Sequence, residues 1–215
     1  MCSYCGELPD TGDHVPSKIL LEEPFPENLP KVPCCSKCNQ SFSLDEEYIA
    51  CLIECTIHGT ADIEKLNRQK IKRILADKEP LRQRLEKSIL RDGDKISFNV
   101  EQERLKNVIL KLARGHAKFE NSEPQLNEPT HYSVTPIPTM TDDEFEIFQR
   151  AEEMDKFPEV GSRAMNNLIL HYHTSHSEWI IVQEPNYLYN VNIRNSRLTI
   201  KIIIWEYLAV EIVWE

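Results

Sequence analysis

The sequence predicts an α+β fold with a metal-stapled amino-terminal module, and three observations carry that reading. All seven cysteines fall in the first 55 residues. The middle third repeats apolar residues at helical spacing. The last 38 residues turn to short runs rich in β-branched and aromatic side chains, the pattern of an antiparallel sheet. A chain of 215 residues suits one large domain or two small ones, with enough length to bury a core. Its apolar fraction of 40% and charged fraction of 28% are ordinary for a soluble globular chain.

The elements follow in order. Pro16, Pro24, Pro26, Pro30 and Pro33 leave room only for short strands and loops up to Cys35. The stretch SKCNQSFSLDEEYIACLIECT reads as helix, with Leu44, Tyr48, Cys51, Leu52 and Cys55 on one stripe and a capping-box pattern at Ser43 and Glu46. Ile63, Leu66, Ile71, Ile74 and Leu75 continue at helical spacing as far as Pro80, and Leu81, Leu85 and Ile89 carry on after it. Asp92-Gly93-Asp94 is a turn. A longer helix then aligns Leu105, Val108, Ile109, Leu112, His116 and Phe119. Residues 121–139 hold four prolines and read as a linker. Thr141 to Glu144 is a second capping box opening a helix through Glu153, and a further helix covers Ser162 to Tyr172. The resulting division is 1–55, a basic helical region 56–120, the linker 121–139, and a carboxy-terminal α+β region 140–215 whose role no motif reveals.

Several classes are excluded. No apolar run approaches the roughly 18 residues of a membrane span, and MCSYCGELPD has neither the basic nor the apolar region of a secretory signal. The expectation is a cytoplasmic protein. No GxGxxG or GxxxxGK[ST] motif occurs, which argues against nucleotide-cradling folds. An odd, clustered set of cysteines without a signal peptide points to metal in a reducing compartment rather than to disulfides.

Four of those cysteines form two knuckles, Cys2-Ser-Tyr-Cys5 and Cys35-Ser-Lys-Cys38, 30 residues apart from Cys5 to Cys35. They supply the four thiolates of a structural zinc, with no open position for catalysis. Cys34 competes for the third place, but only Cys35 restores the two-residue gap to Cys38. Between the knuckles lies Asp13-His14-Val15-Pro16, then Asn28-Leu29, and Asn39 directly follows Cys38. A carboxylate, an amide oxygen and an imidazole around one point suit a Mg²⁺-type ion beside a base for water.

The order CSYC, DHVP, ENLPKVPCCSKC and NQ, over roughly residues 1–50, resembles the HNH (ββα-metal) endonucleases of the kind supported by a treble-clef zinc. One position departs, because Asn39 stands where the family's last histidine falls. The resemblance implies a metal-dependent phosphodiester hydrolase, most naturally of DNA, leaving 5′-phosphate and 3′-hydroxyl ends. It implies that Asp13 and Asn39 hold the divalent cation, that His14 deprotonates the attacking water, and that Asn28 fixes the loop and orients His14. The rival reading is a non-catalytic treble-clef module that binds nucleic acid or protein; the Asp13–His14 pair argues against it.

The net charge of −10 conceals a partition. Residues 1–55 carry −7, residues 56–120 carry +6 and residues 121–215 carry −9. The basic run 64–91, with Arg82, Arg84 and Lys87 at its centre, is the kind of patch that releases counterions from a nucleic-acid backbone. The carboxy-terminal region could dimerise the chain or dock a partner protein. His171, His173 and His176 are read as a helix-end cluster, since the first two point to different helix faces. Cys51, Cys55 and His116 are read as core residues.

Overall fold

A computed structural model describes residues 1–93, 95–170 and 176–215 of the chain. The fold is α+β: nine strands in three antiparallel sheets and six α-helices among the described residues. Two compact units divide it, one formed by residues 1–40 and 109–215 and the other by residues 41–108. The boundaries therefore fall within two helices, not at the ends of the segments suggested by composition.

The first unit opens with β1 (Thr11–His14) paired antiparallel to β2 (Lys31–Cys34), with Asp13 opposite Val32 and His14 opposite Lys31. The helix α1 (Ser36–His58) starts directly after this hairpin. Asp10 anchors that start, accepting from the Ser36 amide at 2.6 Å and the Ser36 hydroxyl at 3.0 Å. The capping-box pattern at Ser43 and Glu46 lies inside α1, because Asp10 already satisfies donors at the helix start seven residues earlier.

The second unit contains the body of α1, then α2 (Gln69–Asp77), α3 (Glu79–Ser88) and a hairpin of β3 (Ile89–Asp92) with β4 (Lys95–Phe98). Pro80 sits in the first turn of α3, where its missing N–H costs nothing, so it opens a helix as well as closing the one before. Glu54, buried in α1, accepts from the amides of Asn67 at 2.7 Å and Arg68 at 2.9 Å, which fixes the entry into α2. Cys51 and Cys55 are fully buried here, and burial pushes both thiols up, Cys55 to about 12.

The helix α4 (Gln102–Asn121) crosses from the second unit into the first. After it come β5 (His131–Pro136), α5 (Asp142–Gln149) and α6 (Arg163–Leu170), then β6 (Ile180–Gln183), β7 (Tyr187–Arg194), β8 (Arg197–Ile204) and β9 (Leu208–Trp214). These strands build a five-stranded sheet in the order β5-β9-β8-β7-β6. Residues 121–139 are thus not a plain linker. The run HYSVTP takes the sheet's edge along β9, where a terminal Pro is tolerated and one face suffices. The turn at Asn195-Ser196 has both residues at positive φ (52° and 62°), as a two-residue hairpin requires. Thr141 and Glu144 form the reciprocal cap at the head of α5.

The first unit also buries a polar cluster. His116 of α4 stacks on Tyr189 with ring centroids 3.8 Å apart, and its Nε2 lies 2.9 Å from the Tyr187 hydroxyl. The Tyr189 hydroxyl donates to Glu120, whose other oxygen accepts from the Ala164 amide at 2.9 Å. Burial brings the His116 ring down to about 3, so it is neutral, and burial raises the Glu120 carboxyl. No helix of the described residues is long and apolar enough to cross a membrane.

Candidate functional site

The four knuckle cysteines converge. The Sγ atoms of Cys2, Cys5, Cys35 and Cys38 all lie within 4.8 Å of one another, and those of Cys5 and Cys35 are 3.7 Å apart. A tetrahedron with metal–sulfur bonds of about 2.3 Å has edges of about 3.8 Å, so the group is positioned to hold a metal ion. Backbone amides support the sulfurs: Cys35 N–H points to Cys2 Sγ at 3.4 Å and Cys38 N–H to Cys35 Sγ at 3.5 Å. Although burial pushes the Cys2 thiol up, backbone N–H groups including those of Tyr4 and Cys35 outweigh it and bring the thiol to about 6. Cys34 stands apart, buried, with its Sγ donating to the Cys35 carbonyl at 3.3 Å. The choice of Cys35 as third ligand follows from that geometry.

Asp13 is 8% exposed and its Oδ2 takes two donors. The hydroxyl of Tyr4, a residue of the first knuckle, donates at 2.6 Å, and Lys111 Nζ of α4 lies at 2.8 Å. Lys111 is itself 3% exposed and also donates to Ser17 Oγ at 2.7 Å. Asp13 Oδ1 accepts no hydrogen bond among the described residues.

The close approach of α4 depends on Gly115. A Cβ there would stand 2.8 Å from a Val15 methyl and 3.4 Å from the Tyr4 hydroxyl. Gly115 and Lys111 are one turn apart on the same helix face, so the bare backbone lets the helix in and the lysine reaches the carboxylate.

His14 is partly exposed, with Nδ1 buried and making no hydrogen bond within normal distance, although the Leu29 carbonyl is near enough to favour the protonated ring. Burial lowers its pKa most, followed by Lys18 and Lys31, and Asp13 opposes them. Lys31 is the cross-strand partner of His14, which puts both side chains on one face of the hairpin. Asn28, exposed in the loop before β2, offers its backbone carbonyl to Arg163 Nη2 at 2.6 Å. Asn39, half-buried in the first turn of α1, has a side chain with no hydrogen bond among the described residues.

Sequence spacing brought out the cysteines, Asp13, His14, Asn28 and Asn39. It missed Lys111, Tyr4 and Ser17, and it missed Lys18 and Lys31 beside His14. Lys111 lies within an amphipathic helix where an interior lysine looks like any solvated one; its only signal is a place on the apolar stripe, flanked by Val108, Leu112 and Gly115.

Two arginines of the basic run are ion-paired. Arg82 pairs with Glu79 at 2.6 Å and with Glu86 at 3.6 Å, and Arg84 with Glu101 at 3.5 Å. Lys87 is exposed and makes no ion pair among the described residues. His171 and His173 lie outside the described residues; His176 is exposed and bridges Glu153 through its backbone.

Compared with protein-family models, with curated proteins and with solved structures, the chain gives no match.

Proposed function

We propose that this chain is a metal-dependent endonuclease of the HNH type that hydrolyses phosphodiester bonds, with DNA as the substrate. The observation that supports it most is the linkage of the Asp13–His14 strand end to a four-thiolate cluster: Tyr4, between two of the thiolates, donates to Asp13, and Asn39 follows the fourth. In this reading the cluster holds zinc, which has a purely structural part.

The donor set suits a second, divalent ion. Asp13 Oδ1 and the Asn39 amide oxygen would hold it, as hard oxygen donors do for Mg²⁺. Bound there, the ion supplies charge neutralisation at the phosphate and the leaving oxygen. His14 takes the proton from water; burial and two neighbouring lysines keep its ring in the basic form. Asn28 holds the loop whose Leu29 carbonyl faces that ring, and Arg163 braces Asn28 from α6. Lys18 and Lys31 give the His14 face the positive charge that a phosphodiester needs.

The second reading, a non-catalytic treble-clef module for nucleic acid or protein, draws on the Lys111–Asp13 ion pair, which would serve stability alone. Incubation of zinc-loaded protein with plasmid and single-stranded DNA, in Mg²⁺, Mn²⁺ or EDTA, separates the two. Cutting that needs the divalent ion supports the nuclease; binding without cutting supports the module.

A further inference from the structure

We infer that the buried Glu120 is a positioning residue for the His14 site: it grips α6 by its first turn, and α6 holds Arg163 against the loop that faces His14. This gives the carboxy-terminal region a part in the site. The cleavage arm of its test rests on the nuclease reading; the rest does not.

The grip on α6 is built from several bonds. Glu120 is fully buried near the end of α4, and one of its carboxylate oxygens accepts from the Tyr189 hydroxyl. The other accepts from the Ala164 amide at 2.9 Å, in the first turn of α6. The Ser162 side chain also bonds this carboxylate, and its Oγ accepts from the Met165 amide at 3.1 Å. The Glu120 carbonyl accepts from the Glu159 amide at 2.6 Å, so the approach to α6 is held as well. A carboxylate suits this place, because the first turn of a helix presents unpaired N–H groups and the positive end of its dipole.

Arg163 is the first residue of α6, so fixing that turn fixes the root of its side chain. Its Nη2 donates to the Asn28 carbonyl at 2.6 Å. Two residues on, the Pro30 carbonyl accepts from the Val15 amide at 3.0 Å, and Lys31 then pairs with His14 across the hairpin. The Leu29 carbonyl, which faces the His14 ring, thus lies between two pins. One pin comes from the residue next to His14, and the other comes from α6. Release of Arg163 leaves the loop free to pivot about Pro30 and to carry the Leu29 carbonyl away from the ring.

The test is amide hydrogen exchange on the full zinc-loaded chain, with plasmid cleavage measured alongside. Arg163→Gln should speed exchange of the Val15 amide roughly tenfold while the amides of β7 and β8 keep their rates. It should also lower kcat roughly ten- to hundredfold with KM for DNA unchanged. Arg163→Lys, which keeps the charge and a donor, should recover part of both losses. Glu120→Gln has one acceptor oxygen where the carboxylate has two. It should speed Val15 exchange as well, and should add nothing once Arg163→Gln is present. Should Glu120→Gln fail to fold, Ser162→Ala takes its place, with the same lack of additivity expected. Unchanged Val15 exchange in Arg163→Gln overturns the inference, and so does a rise shared by every core amide, which marks a loss of overall stability. Additive effects in the double variant overturn the claim that Glu120 acts through Arg163. If the exchange results are as expected but the unaltered chain cuts no DNA, the nuclease reading falls and the positioning of the loop stands.

Discussion

Lys111 Nζ lies 2.8 Å from Asp13 Oδ2, joining the second half of α4 to the end of the first strand. Both partners are nearly water-free, so the pair draws little screening from solvent. Breaking one side strands a buried charge. Lys111→Met should lower stability by about 3–5 kcal/mol, and Asp13→Asn combined with it should recover part of that loss. Chemical denaturation of the four members of this cycle checks it; simple additivity would deny the coupling.

The cysteine cluster makes a compositional prediction. Purified protein should carry about one tightly held zinc per chain. Cys5→Ser or Cys38→Ser should give unfolded or insoluble protein, whereas Cys34→Ser should retain the metal. Folded protein free of zinc in elemental analysis would contradict the assignment.

The buried His116 should make the fold acid-sensitive. Its folded pKa, about 3, lies below the ordinary value of 6.5, so the unfolded chain binds the extra proton between those limits. Stability from this residue is complete above about 6.5 and is lost as pH falls toward 3. Glu120 has the opposite sign: its raised pKa removes stability as pH climbs from the ordinary carboxylate range through the folded value. His116→Gln should flatten the acid limb of a stability–pH curve measured by urea unfolding. An unaltered acid limb would show that His116 does not control it.

Arg82, Arg84 and Lys87 differ in what they are free to do. Arg82 and Arg84 already face carboxylates, while Lys87 does not. Lys87→Gln should therefore flatten the salt dependence of DNA binding by about 0.9 in log–log slope, with smaller effects from Arg82→Gln and Arg84→Gln. Three unchanged slopes would remove Arg82, Arg84 and Lys87 from the interface.

The parts legible in the sequence were those with local signatures. Two knuckles at matched spacing announce a four-thiolate cluster, Thr141 and Glu144 announce a helix cap, and runs rich in β-branched and aromatic residues announce the sheet. The β3–β4 hairpin was not legible, since Leu90 and Ile96 are exposed and no apolar alternation marks it. The strand β5 was hidden by its prolines and polar residues, because an edge strand needs only one partner. Lys111 was hidden for a different reason. Its importance comes from a tertiary meeting with Asp13, Tyr4 and Ser17 that no spacing along the chain encodes.

His14 is the proposed base of a hydrolytic site, and DNA cleavage by His14→Ala protein decides whether it is. Asp13 cannot replace it, since its carboxylate is held by Lys111 and Tyr4. With zinc content and DNA binding unchanged, His14→Ala should cut plasmid DNA roughly 10²–10⁴-fold more slowly than the unaltered chain in Mg²⁺ or Mn²⁺. Cutting at the unaltered rate by nuclease-free His14→Ala protein would contradict the assignment of this site.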